Sequence, residues 1–174
     1  MQIRESTEKD KNAIFKIHQN AFEEDERDSV SQLAIDLLED STASPLLSLV
    51  AEKDNKIIGH IIFSAVTIKD PAISNAYILA PLAVLENQQG CGVGQALINQ
   101  GLKILKERNA KFVLVLGDPN YYSRTGFKTG HNIYPPYNLE YPEAWMAQEL
   151  KKGALKDIKG TVQCATSLSA PEHW

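Results

Sequence analysis

The sequence is poor in cysteine and in aromatic residues. Of its 174 residues, 2 are cysteines and 7% are aromatic. Cys91 and Cys164 lack the CxxC spacing of a metal or redox site and the density of a disulfide-stabilised domain, which favours a reducing compartment. The four histidines are scattered and match no metal signature, so we expect no bound metal.

Excess positive charge and long apolar segments are also missing. The formal net charge of −4 at pH 7 argues against nucleic acid or an anionic membrane as the main partner, and it is compatible with cationic small substrates. No apolar run approaches the roughly 18 residues of a membrane span, and the polar start MQIRESTEKDKN does not resemble a signal peptide. We therefore expect a cytoplasmic protein. Its length predicts a single domain, 1–174, which buries about 70% of the unfolded surface.

Two segments have the apolar spacing of helices that bury one face. In the first, Thr7 and Asp10 have the spacing of a capping box, and the apolar stripe that follows extends to Phe22. In the second, the apolar residues from Val30 to Leu38 follow the i, i+3, i+4, i+7 pattern. The acidic run 23–26 separates the two predicted helices.

The pattern then changes to strands. We expect strands at 47–52, 57–68, 76–84 and 111–116, with a turn at Asp54-Asn55, another at Asp70-Pro71, and a helix at 92–108. The strand–helix–strand order predicts a parallel pair. Asp118 has the position of a helix N-cap, and Gly126 that of the left-handed residue that ends a short helix. The segment 144–150 fits a strand or a helix on periodicity alone, and 162–164 fits a short strand.

The most informative segment is 82–108 (LAVLENQQGCGVGQALINQGLKILKER), in which an apolar strand turns through a Gly-rich bend into an amphipathic helix. Gly90, Gly92 and Gly94 lack side chains, so the backbone can take positive φ and approach a ligand closely. The first N–H groups of the helix have no partner within the helix. Together with the helix macrodipole, these donors predict a site for phosphate.

Two common nucleotide-binding motifs do not fit this bend. A Rossmann fingerprint that starts at Gly90 or Gly92 needs Gly or Ala where the chain has Gln95 or Leu97. A P-loop ends in Gly-Lys-Ser/Thr, but the nearest lysine, Lys103, lies well inside the helix. The spacing therefore disfavours a nicotinamide-dependent oxidoreductase, which would bind NAD.

The spacing Gln-x-x-Gly-x-Gly at Gln89, Gly92 and Gly94 resembles the pyrophosphate-binding motif of the GNAT acetyltransferase superfamily, whose donor is acetyl-coenzyme A (acetyl-CoA). Residues 121–127 (YYSRTGF) are similar to the family's Tyr-x-x-x-Gly-Phe segment, and the order of predicted elements resembles the GNAT fold from end to end. With Gly-Asp-Pro at 117–119, the chain most resembles a bacterial subgroup of uncharacterised GNAT proteins.

This resemblance implies an α/β (α+β) fold, with a mixed central sheet of about seven strands that is flanked by helices and splayed between strands 4 and 5. It implies a strand at 144–150, because the family ends in antiparallel strands. The implied activity is transfer of acetyl from acetyl-CoA to a primary amine of an unidentified acceptor by direct attack in a ternary complex. A homodimer through the C-terminal strands is compatible with the resemblance.

The resemblance also assigns the donor site. Residues 82–84 would hydrogen-bond the pantetheine as an added strand, and a backbone N–H near Leu82 would bind the thioester oxygen, because Pro81 cannot contribute to a sheet ladder. The backbone amides of 90–95 would hold the pyrophosphate. Tyr122 would protonate the thiolate, with Tyr121 as the alternative. The predicted cofactor-binding residues are Leu82, Ala83, Val84, Gln89, Gly90, Cys91, Gly92, Val93, Gly94, Gln95 and Asn120.

The sequence leaves open which group takes the proton from the acceptor amine. A lysine-like amine is almost fully protonated at pH 7, and the strand 76–84 carries no carboxylate. Glu86, the acidic run 23–26, His60 and a water relay to a distant carboxylate remain alternatives. The missing carboxylate also permits a second function, a regulatory or sensor module that binds acetyl-CoA and has little or no catalytic activity.

Overall fold

The computed structural model describes residues 1–69 and 73–174, and these residues form eight strands and four α-helices. The strands are β1 (Gln2–Glu5), β2 (Leu46–Lys53), β3 (Lys56–Ile68), β4 (Ile73–Val84), β5 (Phe112–Leu116), β6 (Asn132–Tyr134), β7 (Trp145–Glu149) and β8 (Lys159–Gln163). The helices are α1 (Lys11–Ala21), α2 (Arg27–Glu39), α3 (Val93–Glu107) and α4 (Pro119–Tyr122). Among them, no helix combines the length and the apolar character that a membrane crossing requires.

The strands form one mixed sheet in the order β1-β2-β3-β4-β5-β7. Strands β1 to β4 are antiparallel neighbours, β4 and β5 are parallel, and β7 returns antiparallel to β5. Strand β8 pairs with the end of β3 and with β6. The mixed sheet and the parallel pair confirm the predicted fold class. The described part of the chain contains one strand more than the seven expected, because β6 has three residues and shows too little periodicity to be recognised.

The sheet is splayed between β4 and β5, as expected. Their pairing runs from Tyr77 opposite Val113 to Leu79 opposite Val115 and ends there, whereas β4 continues to Val84. Within the described ranges, the edge of β4 beyond Leu79 therefore has no neighbouring strand on this side. The gap lies where two cavities enter the molecule, so the topology places the site at the carboxyl end of the parallel pair.

Both faces of the sheet are covered by helices. Along β5, Val113 and Val115 belong to the core beneath α3, while Leu114 belongs to the core beneath α1 and α2. Burial on both faces explains why β5 is apolar throughout instead of alternating with polar residues. The sequence pattern of a fully buried strand is confirmed.

The predicted helix ends are largely confirmed. The carboxylate of Asp10 accepts the backbone N–H of Thr7 at 2.7 Å, and Asp118 Oδ1 accepts that of Asn120 at 2.9 Å. Gly126 has φ +98° and ends the turn that follows α4. Phe22 was expected to be the last residue of the apolar stripe of the first helix, and this was wrong. Helix α1 ends at Ala21, and Phe22 has an extended backbone outside the stripe.

The later strands are close to their predicted positions. The strand expected at 144–150 is confirmed as β7. Ala144, the first residue of the expected segment, belongs instead to a 3-10 turn. Residues 162–164 were expected to form a short strand. The observed strand, β8, begins earlier, at Lys159, and ends at Gln163, so it excludes Cys164. The turn expected at Asp70-Pro71 lies outside the described residues.

Candidate active site

Helix α3 begins at the Gly-rich bend without a side-chain cap from any described residue. Its N-cap, Gly92, has φ +84°, and its first helical hydrogen bond joins the Ala96 N–H to the Gly92 carbonyl at 3.0 Å. The N–H groups of Val93, Gly94 and Gln95 precede this bond and have no acceptor in the described part of the chain. The expectation of free backbone donors at this bend is therefore confirmed, and their geometry suits an anion.

Open space lies over this row of donors. A Cβ built on Gly90, which has φ +74°, or on Gly92 would meet no described atom within 4 Å. A cavity of about 800 Å³, here called the donor cavity, extends from the bend along the free edge of β4 to Tyr121 and Tyr122. This volume is in the range of sites that bind cofactors.

Nine of the predicted cofactor-binding residues line the donor cavity, namely Leu82, Ala83, Val84, Gln89, Gly90, Gly92, Val93, Gly94 and Gln95. Cys91 and Asn120 do not line it. The Cys91 side chain is exposed outside the cavity, and Asn120 is an exposed residue of α4. The structure adds Arg124, which lines the donor cavity and supplies a cation beside the anion-binding bend.

Two residues of the glycine motif have local structural roles. The Gln89 side chain donates a hydrogen bond to the Val84 carbonyl at 3.0 Å, which ties the bend to the end of β4. A Cβ on Gly94 would collide with the Tyr121 hydroxyl. The missing side chain at Gly94 thus makes room for Tyr121, whereas the sequence suggested that it allows close approach of a ligand.

Tyr122 lies on α4, where Asp118 caps the helix and Pro119 occupies its first turn. A Cβ on Gly117 would collide with the Tyr122 ring, which packs edge-on against Tyr121 and Phe127 with centroid distances of 5.1 and 5.8 Å. Burial raises the pKa of the Tyr122 phenol above its ordinary value, so the hydroxyl keeps its proton at neutral pH.

The Tyr122 hydroxyl opens into cavity space. Among the described residues, the buried side-chain atoms without a hydrogen-bond partner are His18 Nδ1, Ser64 Oγ and Gln148 Oε1, and the Tyr122 oxygen is not one of them. Tyr122 lines the donor cavity and also a second cavity of about 600 Å³, here called the acceptor cavity. Its proton is therefore available to a ligand.

The two cavities meet at four shared lining residues, Phe22, Leu82, Asp118 and Tyr122. The remaining walls of the acceptor cavity come from the loop after α1, the start of α2, the ends of β4 and β5, and the C-terminal segment. Phe22 reaches this junction because the helix ends one residue before it. The two cavities therefore adjoin beside Tyr122.

The two cavities differ in charge. The acceptor cavity is lined by the carboxylates of Asp25, Glu26, Asp118 and Glu172 together with His173, and its described lining contains no lysine or arginine. Within the described ranges, no group of three or more His, Cys, Asp and Glu side chains could hold a metal ion. The carboxylates therefore favour an organic cation as the ligand of this cavity.

Some of the proton acceptors considered from the sequence line the acceptor cavity, and others do not. Of the acidic run 23–26, Asp25 and Glu26 line the acceptor cavity, whereas Glu86 and His60 do not. His60 is fully buried, with Nδ1 2.8 Å from His18 Nε2 and Nε2 2.8 Å from Ser48 Oγ. His60 is thus a hydrogen-bonded core histidine that does not reach a ligand of the acceptor cavity.

Sequence reasoning missed Arg124, Glu172 and His173. Arg124 lies within the segment 121–127, so its place in a motif beside the cofactor was the signal that could have found it. Glu172 and His173 belong to no motif, and they reach the cavity only through folding of the C-terminal segment against the body of the protein.

Comparison with known proteins identifies the family. The sequence matches the Acetyltransferase (GNAT) family over residues 11–128. The chain belongs to the GNAT family of acetyltransferases. It is 40% identical over 141 residues to the uncharacterised N-acetyltransferase YjhQ of Escherichia coli K12, an alignment that covers 78% of this chain and 77% of YjhQ. It is 33% identical over 142 residues to the uncharacterised N-acetyltransferase YhbS of the same strain, covering 79% and 82%.

Solved GNAT structures agree in fold. The crystal structure of Escherichia coli YhbS in complex with CoA superposes with a TM-score of 0.88 at 30% identity, covering 98% of this chain and 92% of that one. A GNAT acetyltransferase from Brucella melitensis in complex with acetyl-CoA gives a TM-score of 0.76 at 27% identity, covering 96% and 97%.

The chain is therefore an N-acetyltransferase, one of the acyltransferases that move acetyl from acetyl-CoA to an amine. Nothing in these comparisons favours the regulatory alternative. The comparisons do not test the Gly-Asp-Pro segment as the mark of a subgroup, so that assignment stays a prediction.

Proposed function

We propose that this enzyme holds acetyl-CoA in the donor cavity and a primary amine in the acceptor cavity, and that acetyl passes directly between them in a ternary complex. The observation that carries the proposal is the junction of the two cavities at Leu82 and Tyr122. The complexes of YhbS with CoA and of the Brucella melitensis protein with acetyl-CoA support the choice of donor. The acceptor itself is not identified.

On this proposal, the free N–H groups of Val93, Gly94 and Gln95 bind the diphosphate of acetyl-CoA. Arg124 lies in the same cavity and adds a positive charge for the phosphates. The pantetheine runs along the edge of β4 beyond Leu79, where the splayed sheet leaves room for an added strand. Cys91 and Asn120 do not line the cavity, so their part in binding CoA rests on the resemblance alone.

The reaction then needs three groups at the cavity junction: the amine nitrogen, a backbone N–H near Leu82 and the Tyr122 hydroxyl. The uncharged amine nitrogen attacks the thioester carbonyl carbon, and the developing oxyanion accepts a hydrogen bond from a backbone N–H near Leu82. The C–S bond breaks as the intermediate collapses, the leaving thiolate takes the proton of the Tyr122 hydroxyl, and the proton that the nitrogen then loses restores Tyr122. Tyr122 carries the proton that this step needs, because burial raises the pKa of its phenol and the hydroxyl stays protonated at neutral pH.

The test replaces each of the two neighbouring tyrosines in turn. Thiol release from acetyl-CoA is measured with a panel of amines, and the affinity for CoA is measured by calorimetry. We expect Tyr122→Phe to lower kcat by about 100-fold or more without changing CoA affinity. Tyr121→Phe is the matched control, with at most a few-fold loss. Equal turnover by wild type and Tyr122→Phe would refute the acid role, and binding of CoA without turnover of any amine would refute the enzymatic function.

We also propose that the chain acts as a single domain in the cytoplasm, without a nucleic-acid or membrane partner, in keeping with its net charge of −4. A homodimer through the C-terminal strands is part of the same proposal and rests on the resemblance to the GNAT family. Light scattering on the purified protein tests the dimer, and a monomer mass at all accessible concentrations would refute it.

A further inference from the structure

His173 is a shielded imidazole in the wall of the acceptor cavity. Its side chain is 10% exposed, and its Nε2 lies 3.9 Å from Glu172 Oε1. This distance is an ion-pair contact and too long for a hydrogen bond. In the part of the chain that the structure describes, the histidine rings that make hydrogen bonds are those of His18, His60 and His131, and the ring of His173 is not among them. The imidazole is therefore a largely shielded polar group in the cavity wall, and a ligand of the cavity can reach it.

The segment that carries His173 is fixed by contacts on both sides. The Trp174 indole N–H donates to the Leu168 carbonyl at 2.9 Å, and the ring packs against Trp145 at a centroid distance of 5.4 Å. Further back, the backbone N–H of Ser167 donates to Asp40 Oδ2 at 2.9 Å. These contacts hold the imidazole in place before a substrate arrives, as a catalytic group requires.

The other titratable groups that line the acceptor cavity are less suited to take a proton from an amine. Asp25 and Glu26 are exposed on the loop between α1 and α2, and the Glu172 side chain is 67% exposed. Asp118 accepts the helix-capping hydrogen bond with Oδ1, and Tyr122 already carries its proton. Histidine is also the side chain that most often serves as a general base in enzymes.

We propose that His173 is the base that takes a proton from the acceptor amine, and that this amine enters as a cation held by the surrounding carboxylates. The proposal rests on the ternary-complex function proposed above. The ammonium transfers one proton to His173, the neutral nitrogen forms the C–N bond, and the C–S bond breaks. The thiolate receives the Tyr122 proton, the second nitrogen proton restores Tyr122, and His173 releases its proton to solvent. The net products are the amide, CoA as its thiol, and one proton.

The test compares two amines that differ in charge. The probes are 1,5-diaminopentane, whose ammonium groups are charged at neutral pH, and hydroxylamine, which is largely uncharged there. We expect His173→Gln to lower kcat/KM for the diamine by about 100-fold and to leave hydroxylamine within a few-fold of wild type. For the diamine, the acidic limb of the rate profile should move to higher pH, because the variant depends on amine that is already deprotonated.

Three controls separate the possible failures. His131→Gln is the matched control, because His131 lines neither cavity, and it should leave the rates with both amines within a few-fold of wild type. Calorimetry with CoA and a thermal melt show whether His173→Gln still folds and binds the donor. Equal losses with both amines, or an unchanged pH profile, would overturn the role of His173 while the proposed function stands. Absence of thiol release by wild type with both probes would instead overturn the proposed function, and the role of His173 with it.

Discussion

The buried pair His18 and His60 makes the stability of this fold sensitive to acid. Both side chains are fully buried between α1 and the sheet, and Nε2 of His18 lies 2.8 Å from Nδ1 of His60. Burial lowers the pKa of His18 to about 3. Burial and then the neighbouring His18 lower the pKa of His60 well below its ordinary value. Both imidazoles are therefore neutral in the folded protein near pH 7.

The size of the effect follows from proton linkage. Below a pH of about 6.5 the unfolded chain binds a proton on each of the two histidines and the folded chain does not, so the free energy of unfolding falls as pH falls. Each histidine contributes a slope of about 1.4 kcal/mol per pH unit, which gives a loss of about 4 kcal/mol for the pair between pH 6.5 and 5. Asp10 and Asp40 have pKa values lowered to about 2, so their stabilisation is lost only as pH falls below about 4.

Urea denaturation at several pH values between 7.5 and 5 measures this slope. In His18→Gln, which removes one of the two titrating groups, we expect the slope below pH 6.5 to fall by about 1.4 kcal/mol per pH unit. His131→Gln is the control, because His131 is half-buried and its pKa is lowered less severely by burial. An unchanged slope in His18→Gln, with a normal free energy of unfolding at pH 7.5, would refute the reasoning.

Three further predictions follow from the site and its support. Arg124→Ala should weaken CoA affinity by about 10-fold and reduce its salt dependence, and calorimetry that finds no change at low salt would contradict a phosphate contact. Gly117→Ala should lower kcat by at least about 10-fold because the new Cβ displaces the Tyr122 ring, and wild-type kcat would show that the ring position is unimportant. Asp40→Ala should cost about 1–3 kcal/mol in urea denaturation, because four hydrogen bonds from Thr42 and Ser167 converge on its carboxylate, and a loss below 0.5 kcal/mol would contradict this.

Features that depend on a few consecutive residues could be predicted from the sequence. The bend at Gly90 and Gly92, the buried strand β5 and the cap at Asp118 were all recognised, because backbone conformation and burial on both faces leave direct marks in the local pattern. The splay between β4 and β5 was expected only from the resemblance, since no local pattern states where two strands separate.

Features that depend on distant contacts could not be predicted. Phe22 continues the apolar pattern of α1, yet the helix ends one residue earlier and the side chain lines both cavities. Strand β6 is stable through its pairing with β8, a segment more than 25 residues away. His173 reaches the acceptor cavity because Trp174 packs on Trp145, a contact that sequence spacing does not encode.

The binding of CoA to two glycine variants tests the central claim most directly. Gly92 and Gly153 both have positive φ, +84° and +78°, and a Cβ on either meets no described atom within 4 Å. Alanine at either position therefore carries the same backbone strain, about 1–2 kcal/mol, but only Gly92 lines the donor cavity. Calorimetry should give a CoA affinity at least about 10-fold weaker for Gly92→Ala and unchanged for Gly153→Ala. Wild-type affinity in both variants, or no heat from the wild-type protein, would contradict the assignment of the bend at Gly92 as the diphosphate site.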